Sequence, residues 1–138
     1  VAAFNKFNAF VEALAEKVHN LGSDQLTVAL CASASAPVAT NSVLADLTQI
    51  AYTNLSSRNM TTSSSSQTSG TYKLVLADLV LTASGGSVAA FRYVVLYNDT
   101  STSDNLIGYW DYGSNVTLAD GETFTIDADA TTGVLQIV

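Results

Sequence analysis

The sequence predicts a mostly β fold, an antiparallel β-sandwich of jelly-roll-like type with one N-terminal amphipathic α-helix. Three observations predict it. Beyond residue 71, short runs alternating apolar and polar residues recur about every 8–12 residues between turn-forming residues, the rhythm of a sandwich. A helical period is clear only at the N-terminus. Apolar residues make up 48% of the chain, too many for disorder and enough for a core. The 138 residues are read as one domain: a helical segment 1–21, then a sandwich over 25–138 with a polar loop around 53–70.

Phe4, Phe7, Val11, Leu14, Val18 and Leu21 are spaced three or four residues apart. That spacing puts them on one stripe of a helix over about residues 2–20, with Gly22 placed to stop it. The stripe is expected to pack on the chain's own sheet rather than on a second chain. Residues 25–31 alternate and read as a strand. Residues 32–42 hold Pro37 among Ala, Ser, Thr and Asn and read as a loop. Ser42 is placed to cap a short turn through Val43, Leu44 and Leu47. The run 63–66 is four serines, either a wet edge strand or a flexible loop.

Residues 71–82 and 87–98 flank Ala83-Ser84-Gly85-Gly86 and read as a hairpin. The apolar phase slips between Leu76 and Leu79, so a bulge is expected near Ala77-Asp78. In 87–98, Val88, Val94 and Leu96 share one face, and Phe91, Tyr93, Val95 and Tyr97 share the other. A strand apolar on both sides is central and covered on both faces, one of them by the helix. Strands are also predicted at 106–112, 115–118, 123–127 and 133–138.

Twelve acids face five bases, a net charge of −7, and no cluster of Lys and Arg exists to displace counterions from nucleic acid. Only 12% of residues are charged, and Ser, Thr and Asn fill the gap. Hydroxyl and amide surfaces are cheaper to dehydrate than charged ones, which suits faces that end against other proteins. No run approaches the length of a membrane span, and the start has no signal-peptide pattern. Val1 is read as the product of start-codon processing, so synthesis in a cytoplasm is expected.

No catalytic constellation is apparent. His19 is the one histidine, expected at the helix C-terminus, solvated or favoured there by the helix dipole. Cys31, the one cysteine, lies in an alternating apolar run and reads as a buried, inert thiol. No nucleophile elbow, phosphate-binding loop or zinc-protease motif occurs, and no cofactor or metal is expected. Asp120, Glu122, Asp127 and Asp129 lie close in sequence, with Asp127 and Asp129 on one strand face. They suit either a Ca²⁺ site with backbone carbonyls or ordinary solvated turns. Tyr93, Tyr97, Tyr109, Trp110 and Tyr112 are core residues, a protein interface or a sugar site. The sequons at Asn54, Asn59, Asn98 and Asn115 arise by chance in so Ser/Thr-rich a chain.

The segments Ala3-Phe4-Asn5-Lys6-Phe7, Phe10-Val11-Glu12-Ala13-Leu14-Ala15 and Gly70-Thr71-Tyr72-Lys73-Leu74 have a distinctive wording. So do Phe91-Arg92-Tyr93-Val94-Val95-Leu96-Tyr97-Asn98, Leu106-Ile107-Gly108-Tyr109-Trp110-Asp111-Tyr112 and Asp120-Gly121-Glu122. Taken together, over nearly the whole chain, they resemble the cement or head-decoration proteins of tailed-bacteriophage capsids. The resemblance implies a non-enzymatic virion protein on the outer capsid surface, made in the bacterial host cytoplasm. Its implied partners are the major capsid protein and further copies of itself, as dimers or trimers, with no nucleic acid or membrane. Candidate interface residues are Tyr109, Trp110, Tyr112, Phe4 and Phe7. Two rival expectations stand beside it. One is a tail or fibre component gripping host polysaccharide through the aromatics. The other is a calcium-dependent or hydrolytic jelly roll using the four acids.

Overall fold

A computed structural model of the chain describes residues 2–138; Val1, part of the predicted N-terminal segment, lies outside the described residues. The strands are β1 (Phe4–Lys6), β2 (Leu26–Cys31), β3 (Thr62–Thr68), β4 (Thr71–Leu76), β5 (Leu79–Thr82), β6 (Val88–Asn98), β7 (Leu106–Leu118), β8 (Thr123–Ile126) and β9 (Leu135–Ile137). One helix, α1 (Asn8–Ala15), follows β1. The strands form three antiparallel sheets ordered β1-β7-β6-β2, β3-β4-β9 and β5-β8. The class is mostly β and sandwich-like, as the alternation predicts.

The core lies where the small sheets meet one face of the four-stranded sheet. Val28, Leu30, Val94 and Leu96 on that face are buried against Leu74 and Leu76 of β4, Leu81 of β5 and Ile126 of β8. The other face has its own apolar layer. There Phe7, Ala29, Cys31, Tyr93, Val95, Tyr97 and Leu106 are buried, with Leu44 and Leu47 packed over them. Strand β6 is thus central and buried on both sides. The register shift between Phe91 and Tyr93 carries Phe91 to the Val94 face, opposite to the assignment from simple alternation. The helix contributes Phe10 to the Val94 side, and the segment holding Leu44 and Leu47 covers the Tyr93 side.

The predicted helix over about 2–20 shortens to eight residues. Phe4, Asn5 and Lys6 instead pair with Trp110, Tyr109 and Gly108 of β7. A Cβ on Gly108 would run into the Phe4 ring, so the bare glycine is what lets β1 lie flat there. The helix ends at Ala15 and is closed by Lys17, not by Gly22. Lys17 takes φ 70°, its N–H reaches the Leu14 carbonyl (3.3 Å), and the Val18 N–H reaches Ala13 (2.9 Å). This is the paired 5→2 and 6→1 bonding of a Schellman end. The predicted stripe therefore breaks: Phe10 is buried, while Val11 is 53% exposed.

The predicted hairpin of 71–82 with 87–98 does not form. Strand β4 pairs with β3 and β9, and β5 pairs with β8. The phase slip at Ala77-Asp78 is a break between sheets rather than a bulge, with Asp78 Oδ1 accepting the Ala128 N–H (2.9 Å). Residues 106–118 form one long strand instead of two, passing through Gly113 at φ 92°. At the short turn Leu44–Asp46 the capping side chain is Asp46, not Ser42. Its Oδ2 accepts the Ser42 N–H (2.8 Å) and the Val43 N–H (3.2 Å), which holds the carboxyl below its ordinary pKa. The serine run 63–66 is an edge strand, within β3.

Candidate binding cleft

Alternation along β7 puts Trp110 and Tyr112 on one side and Asp111 between them on the other. Asp111 is held there by Arg92 of β6 through two bonds of 2.8 and 3.0 Å. That hydrogen bonding holds the carboxyl below its ordinary pKa. Strand β8 brings Phe124 alongside: its ring meets Tyr112 edge-on at 5.2 Å and Phe91 at 5.3 Å. Phe4 of β1 supports Trp110 from behind, with centroids 4.8 Å apart. Between these walls lies a cleft of about 200 Å³, lined by Ala2, Val94, Trp110, Tyr112, Phe124 and Asp127, among others. Its surface is mainly apolar, and among the described residues Asp127 is the one charged group on its lining. Trp110 is half-buried and Tyr112 is 56% exposed, so the aromatic wall is open to solvent.

The five candidate interface residues do not form one patch. Phe4, Trp110 and Tyr112 belong to the cleft side. Tyr109 faces the opposite side and stacks on Phe7 at 5.3 Å. Phe7 is fully buried, which removes it as a contact residue. Tyr93 and Tyr97 are buried in the same layer and are core. Phe124 was not singled out from the sequence. Its meeting with Tyr112 depends on β8 lying against β7, a tertiary contact that local pattern does not reveal.

The four acids do not converge. Asp120 Oδ1 accepts the Gly85 N–H (3.0 Å), and Glu122 Oε2 accepts the Ala119 N–H (3.2 Å). Asp129 accepts the N–H groups of Thr131 and Thr132, and with the Thr132 hydroxyl these bonds hold its carboxyl below the usual range. Strand β8 ends at Ile126, so Asp127 and Asp129 do not share a strand face. Among the described residues no three His, Cys, Asp or Glu side chains come together as a ligand set. Cys31 is buried, and burial pushes its thiol pKa up to about 11, which keeps it protonated.

His19 is neither at a helix end nor solvated. It is 6% exposed, packed 5.2 Å from the Phe10 ring. Asn98, fully buried, donates its amide to His19 Nδ1 (3.0 Å) and to Asp24 Oδ2 (2.7 Å). Asn98 Oδ1 is fixed by the N–H groups of Thr100 and Ser101 (2.9 and 3.1 Å), which sets the orientation of the amide. Nδ1 must therefore accept, and the ring is neutral with its proton on Nε2, which has no partner among the described residues. Burial lowers the His19 pKa, and the Asp24 charge opposes that shift in part. The Asn98 sequon lies in this buried cluster.

Among the described residues no helix is long and apolar enough to cross a membrane. Compared with known proteins, the chain matches no family model, no curated protein and no solved structure.

Proposed function

We propose that this chain is a structural virion protein of a tailed phage, docked on the outside of the capsid. There it stabilises the shell by bridging major-capsid-protein subunits, with no bond made or broken. The jelly-roll-like reading of its sheets belongs to the same proposal. The observation that carries it is the open aromatic cleft between β7 and β8. A half-buried Trp and an exposed Tyr around a small apolar hollow are the kind of anchor that receives a side chain from another protein. Around the cleft, few charges need be stripped of water when two surfaces close. Many modest contacts repeated over a lattice then add up, because each bound copy raises the effective concentration of the next contact. Shells of the major capsid protein, mixed with the purified chain and pelleted, should carry it down. Trp110→Ala and Tyr112→Ala together should weaken that binding at least about tenfold, the scale of an aromatic hot spot. Shells that never retain the wild-type chain would remove the proposal.

One observation favours a second reading, a tail or fibre component that grips host polysaccharide. A cleft of about 200 Å³ suits a single sugar ring, with Trp110 beneath it and Asp127 placed to accept hydroxyls. A glycan array separates the two. Sugar binding that disappears with Trp110→Ala supports this reading, and a blank array removes it.

A further inference from the structure

Strand β3 stands at the edge of its sheet, hydrogen-bonded to β4 on one side only. No backbone bond from elsewhere in the described chain reaches residues 63–68. The turn after it, Ser69-Gly70, has φ values of 50° and 85°. Two-residue turns of that kind close on a hydrogen-bonded pair, here Thr68 and Thr71. Bonded and non-bonded pairs alternate along an antiparallel ladder. Ser66 and Ser64 therefore bond to β4, and the N–H and C=O of Ser65 and Gln67 point outward. These four groups form an unfilled template for another strand.

The other edges are covered, charged or short. Residues 50–60 run along β2, with the N–H groups of Val28 and Met60 bonded to Arg58 and Leu26 carbonyls. Ser56 and the Leu55–Ala83 bridge occupy the edge of β5. Strand β1 carries Lys6, β8 lies between Glu122 and Asp127, and β9 is three residues long. By contrast, residues 61–71 hold no charged residue, in a chain of net charge −7. Like-charged copies repel each other least along this strand. The sheet face beside it is Ser64, Ser66, Thr68 and Thr71, with Lys73 tied to the Thr131 carbonyl at 2.7 Å.

We propose that two copies of this chain pair antiparallel through β3, making one continuous six-stranded sheet. The outward groups set the parity of the register, and pairing all four of them in each copy selects one alignment. Ser65 of each copy exchanges both bonds with Gln67 of the other, and Ser66 faces its own equivalent across the two-fold axis. A dimer built this way carries two aromatic clefts, which is what bridging two subunits requires. The pairing itself concerns the free protein and does not depend on a shell.

Sedimentation of the wild-type chain at about 100 µM should show the dimer. Ser66→Glu sets two like charges directly opposite each other, on chains that each already carry a net charge of −7, and should raise the dissociation constant about fivefold. Within its own chain Ser66 is exposed and faces Lys73, a favourable partner for the new carboxylate, so at dilutions where both proteins are monomeric the variant should melt at the wild-type temperature. Ser66→Cys gives an independent reading of register. Facing residues of a non-bonded pair have Cα atoms about 4.5 Å apart, within disulfide reach. Mild oxidation should link Ser66→Cys chains far faster than a control, Ser103→Cys, on the exposed loop after β6. A wild-type chain that stays monomeric, a dimer indifferent to Ser66→Glu, or cross-linking no faster than the control would each overturn the pairing.

Discussion

Lys17 and His19, two residues apart, show how much a single side chain decides. Lys17 closes α1 in the left-handed region, where an L residue is strained and glycine is not. Lys17→Gly should therefore stabilise the chain by about 0.5–1 kcal/mol, after allowing for the extra freedom of glycine in the unfolded state. Chemical denaturation would measure it. His19 makes stability depend on pH. Its folded pKa lies below the ordinary 6.5, because burial disfavours the imidazolium and the Asn98 amide offers it another donor. The stabilising contribution of the neutral ring is complete above pH 6.5 and is lost as pH falls through the lower folded value. The Asp24 carboxylate, bonded to the same Asn98 amide, opposes that shift in part. Urea titrations between about pH 7 and 5 should show stability falling, with a shallower fall in His19→Gln. A His19→Gln slope equal to that of the wild type would exclude this role. Burial of Cys31 was legible because its neighbours alternate. Burial of His19 was not, because Asn98 lies 79 residues away.

At the scale of elements, local pattern identified strands well and their partners poorly. The period of Phe4, Phe7, Val11 and Leu14 is helical, yet Phe4 belongs to a strand because β7 offers it a pairing edge and Trp110 a ring to stack on. Propensity yields where a tertiary partner buries more surface. Likewise Ala83-Ser84-Gly85-Gly86 carries turn chemistry, but β5, which enters that turn, pairs with β8 rather than with β6 beyond it. Polar residues 52–60 gave no strand signal. They are held on β2 by Tyr52, whose hydroxyl accepts the Leu30 N–H (2.9 Å), and by Arg58, which lies 3.7 Å over the Tyr52 ring. Docking of β1 is testable. Gly108→Ala forces a methyl against the Phe4 ring and the Asn5 carbonyl and should cost about 1–3 kcal/mol. Amide exchange in β1 should accelerate in that variant. Unchanged exchange would mean that β1 is not held by this contact.

At the scale of the whole molecule, two-sided burial of β6 organises everything else. That feature was legible, since apolar residues occupy both phases of 87–98. Which residue lies on which face was only partly so, because three register shifts in the β6–β7 ladder move Phe91 and reset the phase near Leu106. Half of the cleft was legible for the same reason. Trp110 and Tyr112 announce themselves by type, but the wall opposite them comes from β8. The fold leaves an open aromatic hollow at one place and an uncharged strand edge at another. A protein with two such surfaces can hold two larger bodies together. Cryo-microscopy of the phage particles on which the proposal places this chain tests that claim most directly. The account predicts density for the chain across seams between capsomers, with Trp110 and Tyr112 against capsid protein. Particles whose seams are bare, with the chain at the tail tip or missing altogether, would contradict it.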